Sequence, residues 1–186
     1  AGYTHDAQGV VYKGPHTDFF GKSIVFAANA NKLAILDTTD PSDIGTVSIT
    51  NYDYSYTHQC WLTEDHKYLL LGDELDELNQ GINTRTLIFD VQDLTNPILI
   101  GEHFSELAAI DHNQYVIGNL LFQANYTAGL RMLSLTNIAE GELAEIGYFD
   151  VDPISNAAQS SGSWSTYPYF ESGIVVVTSI EGGIFI

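Results

Sequence analysis

The chain has only one cysteine, Cys60, so it cannot form a disulfide bond within itself. Cys60 precedes Trp61 in a segment with the pattern of a strand, which favours a buried and unreactive thiol. Nucleophilic catalysis would need a base beside the thiol, and His58 lies two residues away on the same strand face. We expect Cys60 to fill the core.

Basic residues are also scarce. The chain has 6 lysines and arginines against 24 aspartates and glutamates, a formal net charge of −18. Such a charge opposes binding to DNA, RNA or anionic lipid, so we expect no nucleic-acid partner. No run approaches the ~18 apolar residues of a membrane-spanning helix, so we expect no membrane insertion by this segment. The acidic side chains either solubilise the surface or attract cations.

A sustained helical pattern is missing as well. The apolar residues fall instead in short runs that are rich in β-branched and aromatic side chains and bounded by Gly, Asn, Asp or Ser. Such runs occur at residues 23–27, 68–71, 120–123 and 174–177. The sequence therefore predicts an all-β fold.

A histidine motif recurs along the chain at a nearly constant interval. Its three copies are Tyr3-Thr4-His5-Asp6, Tyr56-Thr57-His58-Gln59 and Ile110-Asp111-His112-Asn113. The histidines are 58 − 5 = 53 and 112 − 58 = 54 residues apart, and a further step of 52 reaches Trp164. Four strands in a repeat of this length are typical of a β-propeller blade, whose known repeats span about 40–50 residues.

We therefore predict a single domain, a β-propeller of four-stranded antiparallel blades with about three and a half blades present. The blades are placed at residues 1–54, 55–107, 108–160 and 161–186, and the last is expected to stop after two strands. Propellers close with ~4–8 blades, and an open arc leaves sheet faces bare. The sequence thus predicts part of a larger ring, which missing blades or a second chain would complete.

Seven segments carry a further resemblance, at residues 3–8, 56–66, 73–77, 83–86, 111–113, 124–131 and 179–183. Together they resemble the choice-of-anchor B family, bacterial exported proteins with LVIVD-type propeller repeats. The resemblance implies a β-propeller, an extracellular or cell-surface location, an anchor that varies between members, and further blades before Ala1. Cys60 departs from the family pattern, where a small residue such as glycine is expected. The family brings no biochemical activity with it.

The repeated histidines form the first candidate site. In a propeller the first strand of each blade lines the central channel, so His5, His58 and His112 should face it from neighbouring blades. With Asp6 and Asp111 alongside, they could bind zinc or another transition metal. Alternatively, each histidine links its blade to the next through hydrogen bonds, a structural role that repeats because the blade repeats.

The acidic loop at residues 72–83 is the second candidate site. It holds four carboxylates within five positions, those of Asp73, Glu74, Asp76 and Glu77. Hard oxygen ligands at this density suit Ca²⁺, although their spacing does not match an EF-hand. The alternative is a solvated acidic loop that pairs with Arg85.

Two classes of function follow. The first is an exported or cell-surface binding module with structural metal ions and a glycan or protein ligand; Trp61, Trp164 and Tyr167 could form an aromatic surface for sugars, or fill the core. The second is a metal-dependent enzyme in which the channel histidines hold an ion with an open coordination position. No glycine-rich phosphate-binding loop occurs, so we expect no nucleotide cofactor.

Overall fold

Four antiparallel sheets follow one another along the chain. The structure is a computed structural model and describes residues 3–186. The first sheet contains β1 (Asp6–Val11), β2 (Ser23–Ala28), β3 (Leu33–Asp37) and β4 (Gly45–Thr50). The second contains β5 (Thr57–Leu62), β6 (Tyr68–Asp73), β7 (Arg85–Asp90) and β8 (Ile98–Phe104). Consecutive strands are neighbours in each sheet, so each sheet is built by local connections.

The third sheet contains β9 (Gln114–Ile117), β10 (Leu120–Ala124), β11 (Leu130–Ser134) and β12 (Ala144–Phe149). The fourth contains three strands, β13 (Ser163–Tyr167), β14 (Val176–Ser179) and β15 (Gly183–Phe185). The expectation of two strands there was wrong, because β13 buries Ser163 and Thr166 and so lacks an apolar run. All four sheets lie within the ranges predicted for the blades; residues 1 and 2 of the first range lie outside the described residues.

Helical structure is short in the part of the chain that the structure describes. Besides 3-10 turns at Thr17–Phe19 and Ile138–Glu140, α1 (Asp76–Gln80) lies in the acidic loop between β6 and β7. The helix ends at Gly81, which has a φ of 70° and donates its N–H to the Glu77 carbonyl. Glycine accepts this left-handed conformation without strain. The five residues of α1 are too few to show a helical period in the sequence. None of the described helices is long and apolar enough to cross a membrane.

Apolar cores fill the spaces between successive sheets. Leu69 and Leu71 of β6 pack with Phe26 in the core between the first two sheets, whereas Leu70 packs with Leu121 between the second and third. Because side chains alternate along a strand, both faces of the second sheet are buried, which explains its unbroken apolar run. A third core lies between the last two sheets and contains Phe122, Leu130 and Val177.

Cys60 lies in the first of these cores and is 1% exposed. Its Sγ is 3.5 Å from the Phe26 carbonyl oxygen. Burial raises the pKa of the thiol, so Cys60 is the buried, unreactive residue that the sequence predicts.

The main contacts between successive sheets each involve a first strand, with β1 and β2 against β5, β5 against β9, and β9 and β10 against β13. Hydrogen bonds across these contacts join residues one repeat apart. Gln8 Oε1 accepts from Leu62 N at 2.8 Å, 54 residues along, and Gln59 Oε1 accepts from Gln114 N at 2.9 Å, 55 residues along. The first strands therefore converge, and the residues that begin them meet.

Candidate functional site

A column of rings runs along the line where the first strands meet. His5, His58, His112 and Trp164 stack in that order, with successive ring centroids 4.3, 4.3 and 4.1 Å apart. Each ring comes from a different sheet, in its first strand or just before it. Each repeat of the sequence thus contributes one ring to the column, and the three predicted histidines are successive members of it.

In two of these rings, a backbone carbonyl of the next sheet determines which nitrogen carries a proton. His5 Nδ1 lies 3.2 Å from the His58 carbonyl oxygen, and His112 Nδ1 lies 2.5 Å from that of Trp164. Because a carbonyl oxygen only accepts, Nδ1 of both rings carries a proton, which leaves Nε2 as the nitrogen that can bind an ion when the ring is neutral. His58 also approaches the backbone of His112. This contact favours the charged form of His58, but it falls short of hydrogen-bond geometry.

Glu74, which directly follows β6, places its carboxylate against two of the rings. Its Oε2 is 3.6 Å from His58 Nε2, and its Oε1 is 4.0 Å from His112 Nε2. Tyr126 positions the carboxylate by donating its hydroxyl proton to Oε1 at 2.7 Å. The Nε2 atoms of His58 and His112 therefore face the oxygens of one carboxylate, and a cation between them could bind both nitrogens and the carboxylate.

Tyr126 is a site residue that the sequence analysis did not single out. It is 1% exposed and has a φ of 32°, in the left-handed region that is uncommon for residues other than glycine. Its carbonyl accepts the N–H of Ser163 at 2.8 Å, which ties this backbone to the fourth sheet. The available signal in the sequence is that Tyr126 closely follows β10, much as Glu74 follows β6.

The two imidazoles nearest Glu74 are held neutral. Burial, His112 and His5 lower the pKa of His58 to about 2, and burial lowers the pKa of His112 to about 4. Burial also raises the pKa of the Glu74 carboxyl above its usual range. Neutral imidazole is the form that binds a metal ion. His58, Glu74 and His112 form a donor set whose ligand atoms all lie within 4.8 Å of one another.

The donor set opens onto a cleft of about 220 Å³, which we name the channel cleft. It is lined by His5, Asp6, His58, Glu74, His112, Asn113 and Trp164. His5 and Asp6, both predicted as ligands, lie on its wall and outside the three-residue donor set. Asp6 Oδ1 accepts the N–H of Ala7 at 2.6 Å. An ion held by the donor set would keep one side open to the cleft.

Asp111 is the predicted channel residue that the structure places in a different group. It is 2% exposed and lies with Asp76 and Glu77, their ligand oxygens within 4.8 Å of one another. Glu74, assigned from the sequence to the acidic loop, lies with the histidines instead. Asp111 and Glu74 therefore each belong to the candidate site to which the other was assigned. The position of a residue within its own blade does not show which side chains of the next blade it contacts.

Asp73, another predicted calcium ligand, has both carboxylate oxygens occupied by hydrogen bonds. Oδ2 accepts the hydroxyl of Tyr52 at 2.8 Å. Oδ1 accepts the backbone N–H groups of Ser55 at 2.9 Å and Tyr56 at 2.5 Å. Asp73 thus holds the segment that leads into β5.

The three aromatic residues considered as a surface for sugars lie in different surroundings. Trp61 packs against Tyr115, with ring centroids 4.8 Å apart, beside the core between the second and third sheets. Tyr167 packs against Phe170 at 4.9 Å. Of the three, Trp164 lines the channel cleft, and 47% of its surface is exposed.

Comparison with known proteins identifies this architecture. No family model matches the sequence, and no curated protein matches it. The periplasmic gluconolactonase of Pseudomonas aeruginosa aligns with a TM-score of 0.66 and 12% identity, over 97% of this chain and 48% of its own. A protein from Lactobacillus plantarum aligns with a TM-score of 0.65 and 13% identity, over 97% of this chain and 52% of its own. The fold is a β-propeller.

The chain spans about half the length of these two solved structures. At identities of 12% and 13% the similarity establishes the propeller fold alone.

Proposed function

We propose that this protein is an exported β-propeller binding module whose channel holds one divalent transition-metal ion on His58, Glu74 and His112. The observation that carries the proposal is the convergence of two neutral imidazole Nε2 atoms on one carboxylate. Two histidines and a carboxylate are an established donor set for zinc. Backbone carbonyls that orient the rings through Nδ1 are the usual outer partners of ligating histidines.

The ion would bind an outside ligand at the mouth of the channel. Three protein donors leave one position of a tetrahedral zinc ion free, and the channel cleft gives access to it. Trp164 presents a half-exposed aromatic face beside that position. A glycan or a protein segment with an oxygen donor is the kind of ligand that suits this combination.

The location outside the cell belongs to the same proposal. It is supported by the resemblance to choice-of-anchor B proteins. The net charge of −18 also suits a surface exposed to cations and salt.

Calorimetric titration of zinc into metal-stripped protein tests the donor set. We expect one zinc ion per chain, with affinity reduced by at least tenfold in His112→Gln and in Glu74→Gln. His66→Gln is the control, because His66 is a partly buried histidine whose Nδ1 accepts the N–H of Lys13 outside the channel cleft. Elemental analysis of the protein as purified would identify the natural metal.

Two results would overturn the donor set. One is the absence of zinc, copper, iron and manganese binding to the metal-stripped protein. The other is equal binding by the wild type, His112→Gln and Glu74→Gln, which would place the ion elsewhere.

A metal-dependent enzyme is the second candidate, and the open side of the donor set favours it. Cobalt substitution tests the open coordination position that both candidates require, because the visible spectrum of bound Co²⁺ reports its coordination. A catalytic site with an exchangeable water should change its spectrum when azide or acetate is added. An unchanged spectrum would show an ion with no exchangeable position, which would remove both the enzyme candidate and an outside ligand bound to the ion.

A further inference from the structure

The second group of acidic side chains is a buried cluster, distinct from the channel donor set. It consists of Asp76, Glu77 and Asp111, named here the carboxylate cluster, whose ligand oxygens lie within 4.8 Å of one another. The three residues are 0%, 3% and 2% exposed. Asp76 and Glu77 come from α1 in the second blade and Asp111 from the entry to the third, so the cluster spans two blades.

Each member of the cluster has a buried oxygen with no hydrogen-bond partner, namely Asp76 Oδ1, Glu77 Oε2 and Asp111 Oδ1. Buried polar atoms are nearly always hydrogen-bonded, since leaving one unpaired costs about 1–3 kcal/mol. Three such atoms in one place therefore indicate a missing positive partner. Other oxygens of the cluster do have partners: Asp76 Oδ2 accepts from Arg85 Nε at 2.7 Å, and Glu77 Oε1 accepts from Asp111 N at 3.3 Å.

Charge points in the same direction. With all three carboxylates ionised, the cluster and the guanidinium of Arg85 sum to −3 + 1 = −2, which one divalent cation would neutralise. Burial and neighbouring carboxylates raise the pKa values of Glu77 and Asp111, so a cation that binds there would displace their protons. Arg85 is itself shared, because its Nη1 also bonds Glu102 at 2.9 Å and its Nη2 bonds the Asp53 carbonyl at 2.9 Å. It cannot move to cover the three unpaired oxygens without losing these contacts.

We propose that Asp76, Glu77 and Asp111 bind one Ca²⁺ ion between the second and third blades. All donors are hard oxygens, which suit Ca²⁺ and not a nitrogen- or sulfur-preferring ion. Ca²⁺ accepts irregular geometry, whereas Mg²⁺ requires a near-ideal octahedron and keeps several of its waters. The site differs from the calcium loop expected from the sequence, because Asp73 and Glu74 have other partners and Asp111 comes from the next blade.

The backbone beside the cluster leaves room for Asp111. Gly72 is the last residue but one of β6, and a Cβ atom built on it would collide with Asp111 Oδ2. Glycine at this position therefore lets the carboxylate of one blade enter against the strand of its neighbour. A calcium ion there would join the two blades and add to the free energy of unfolding.

Calcium binding to the metal-stripped protein is the test, measured by calorimetry and by thermal unfolding. We expect one Ca²⁺ per chain and a rise in the melting temperature of about 5 °C or more at saturating Ca²⁺. Asp111→Asn and Glu77→Gln should each lower the affinity for Ca²⁺ by at least tenfold. Two variants are used so that Glu77→Gln gives the answer if Asp111→Asn fails to fold.

Two controls separate this site from the surface and from the channel. Asp43→Asn removes an exposed carboxylate and should leave calcium binding unchanged. His58→Gln removes a channel donor and should also leave it unchanged, so that failure of the channel proposal does not affect this one. The calcium site is refuted if wild-type protein shows neither heat nor a melting shift with Ca²⁺, or if Asp111→Asn and Glu77→Gln both bind Ca²⁺ as the wild type does.

Discussion

At the scale of single residues, the channel depends on which nitrogen of each imidazole carries the proton. The carbonyl oxygens of His58 and Trp164 require a proton on Nδ1 of His5 and His112, which leaves Nε2 able to bind a metal ion. The structural and metal roles weighed for these histidines are therefore compatible. In His112, Nδ1 links the blade to its neighbour through the Trp164 carbonyl, and Nε2 is available to an ion.

Gly72 lies directly against the carboxylate cluster, so its replacement should displace a member of the cluster. In Gly72→Ala the new methyl group would displace the Asp111 carboxylate, and we expect a loss of about 1–3 kcal/mol in the free energy of unfolding. Urea unfolding measures this. Gly9→Ala is the matched control, since its added Cβ would meet only Val25 at 3.8 Å, an ordinary contact. Equal stability of both variants would contradict the close approach of Asp111.

His103 should make the protein sensitive to acid. Burial lowers its pKa below the usual value of about 6.5, outweighing Glu145 and the Leu143 backbone, which favour the charged form. The unfolded chain therefore binds the proton more readily, and the stabilising contribution present above pH 6.5 is lost as the pH falls towards the lower folded pKa.

In His103→Gln this source of acid sensitivity is removed. We expect the stability of the wild type to fall relative to the variant between pH 7 and pH 5, measured by urea unfolding at each pH. A difference in stability that does not change with pH would show that the pKa of His103 is not lowered by folding.

At the scale of strands and blades, glutamine side chains connect the first strands of the first three sheets. Gln8 and Gln59 do so at equivalent places, each accepting a backbone N–H about one repeat further along. The same interval separates Glu64 Oε1 from the Gly118 N–H, which it accepts at 2.7 Å. The blades are thus joined by polar contacts as well as by their apolar cores.

Gln59→Leu should weaken the junction of the second and third blades. The substitution leaves the N–H of Gln114 buried without an acceptor, and we expect a loss of about 1–3 kcal/mol. Thermal or urea unfolding measures the loss. Gln92→Leu serves as the control because Gln92 is exposed and bonds only Asp90 in its own loop. A loss as small as that of the control would show that the contact contributes nothing.

The repeat in the sequence predicted the sheets because each blade is a local unit whose strands pair with their neighbours in sequence. It also predicted that His5, His58 and His112 would meet. The membership of the two sites could not be predicted from the same repeat, because Glu74 and Asp111 are selected by contacts between blades. The short helix α1 moves Asp76 and Glu77 inward, and five residues carry no periodic signal for it.

At the scale of the whole molecule, the three apolar cores lie between successive sheets. In the described residues 3–186, the outer face of the fourth sheet has no sheet against it, and Ile184, which alternates with the inward-facing Phe185, is 69% exposed there. Apolar residues on an uncovered sheet favour association. We propose that further blades, in this protein or in a second chain, complete the ring.

Light scattering coupled to size-exclusion chromatography tests this assembly. For the 186-residue chain alone, we expect association or aggregation, and a stable species of defined mass when the covering blades are supplied. A monodisperse monomer that unfolds cooperatively would contradict the proposed ring.

The central claim, a metal ion in the channel, is tested most directly by anomalous diffraction from crystals grown with zinc and measured above and below its absorption edge. The account predicts one anomalous peak between His58, Glu74 and His112, with zinc–nitrogen distances of about 2.0–2.1 Å to both imidazoles. It also predicts that the peak disappears in His112→Gln. Channel density with no anomalous signal, or zinc bound only at surface residues, would contradict it.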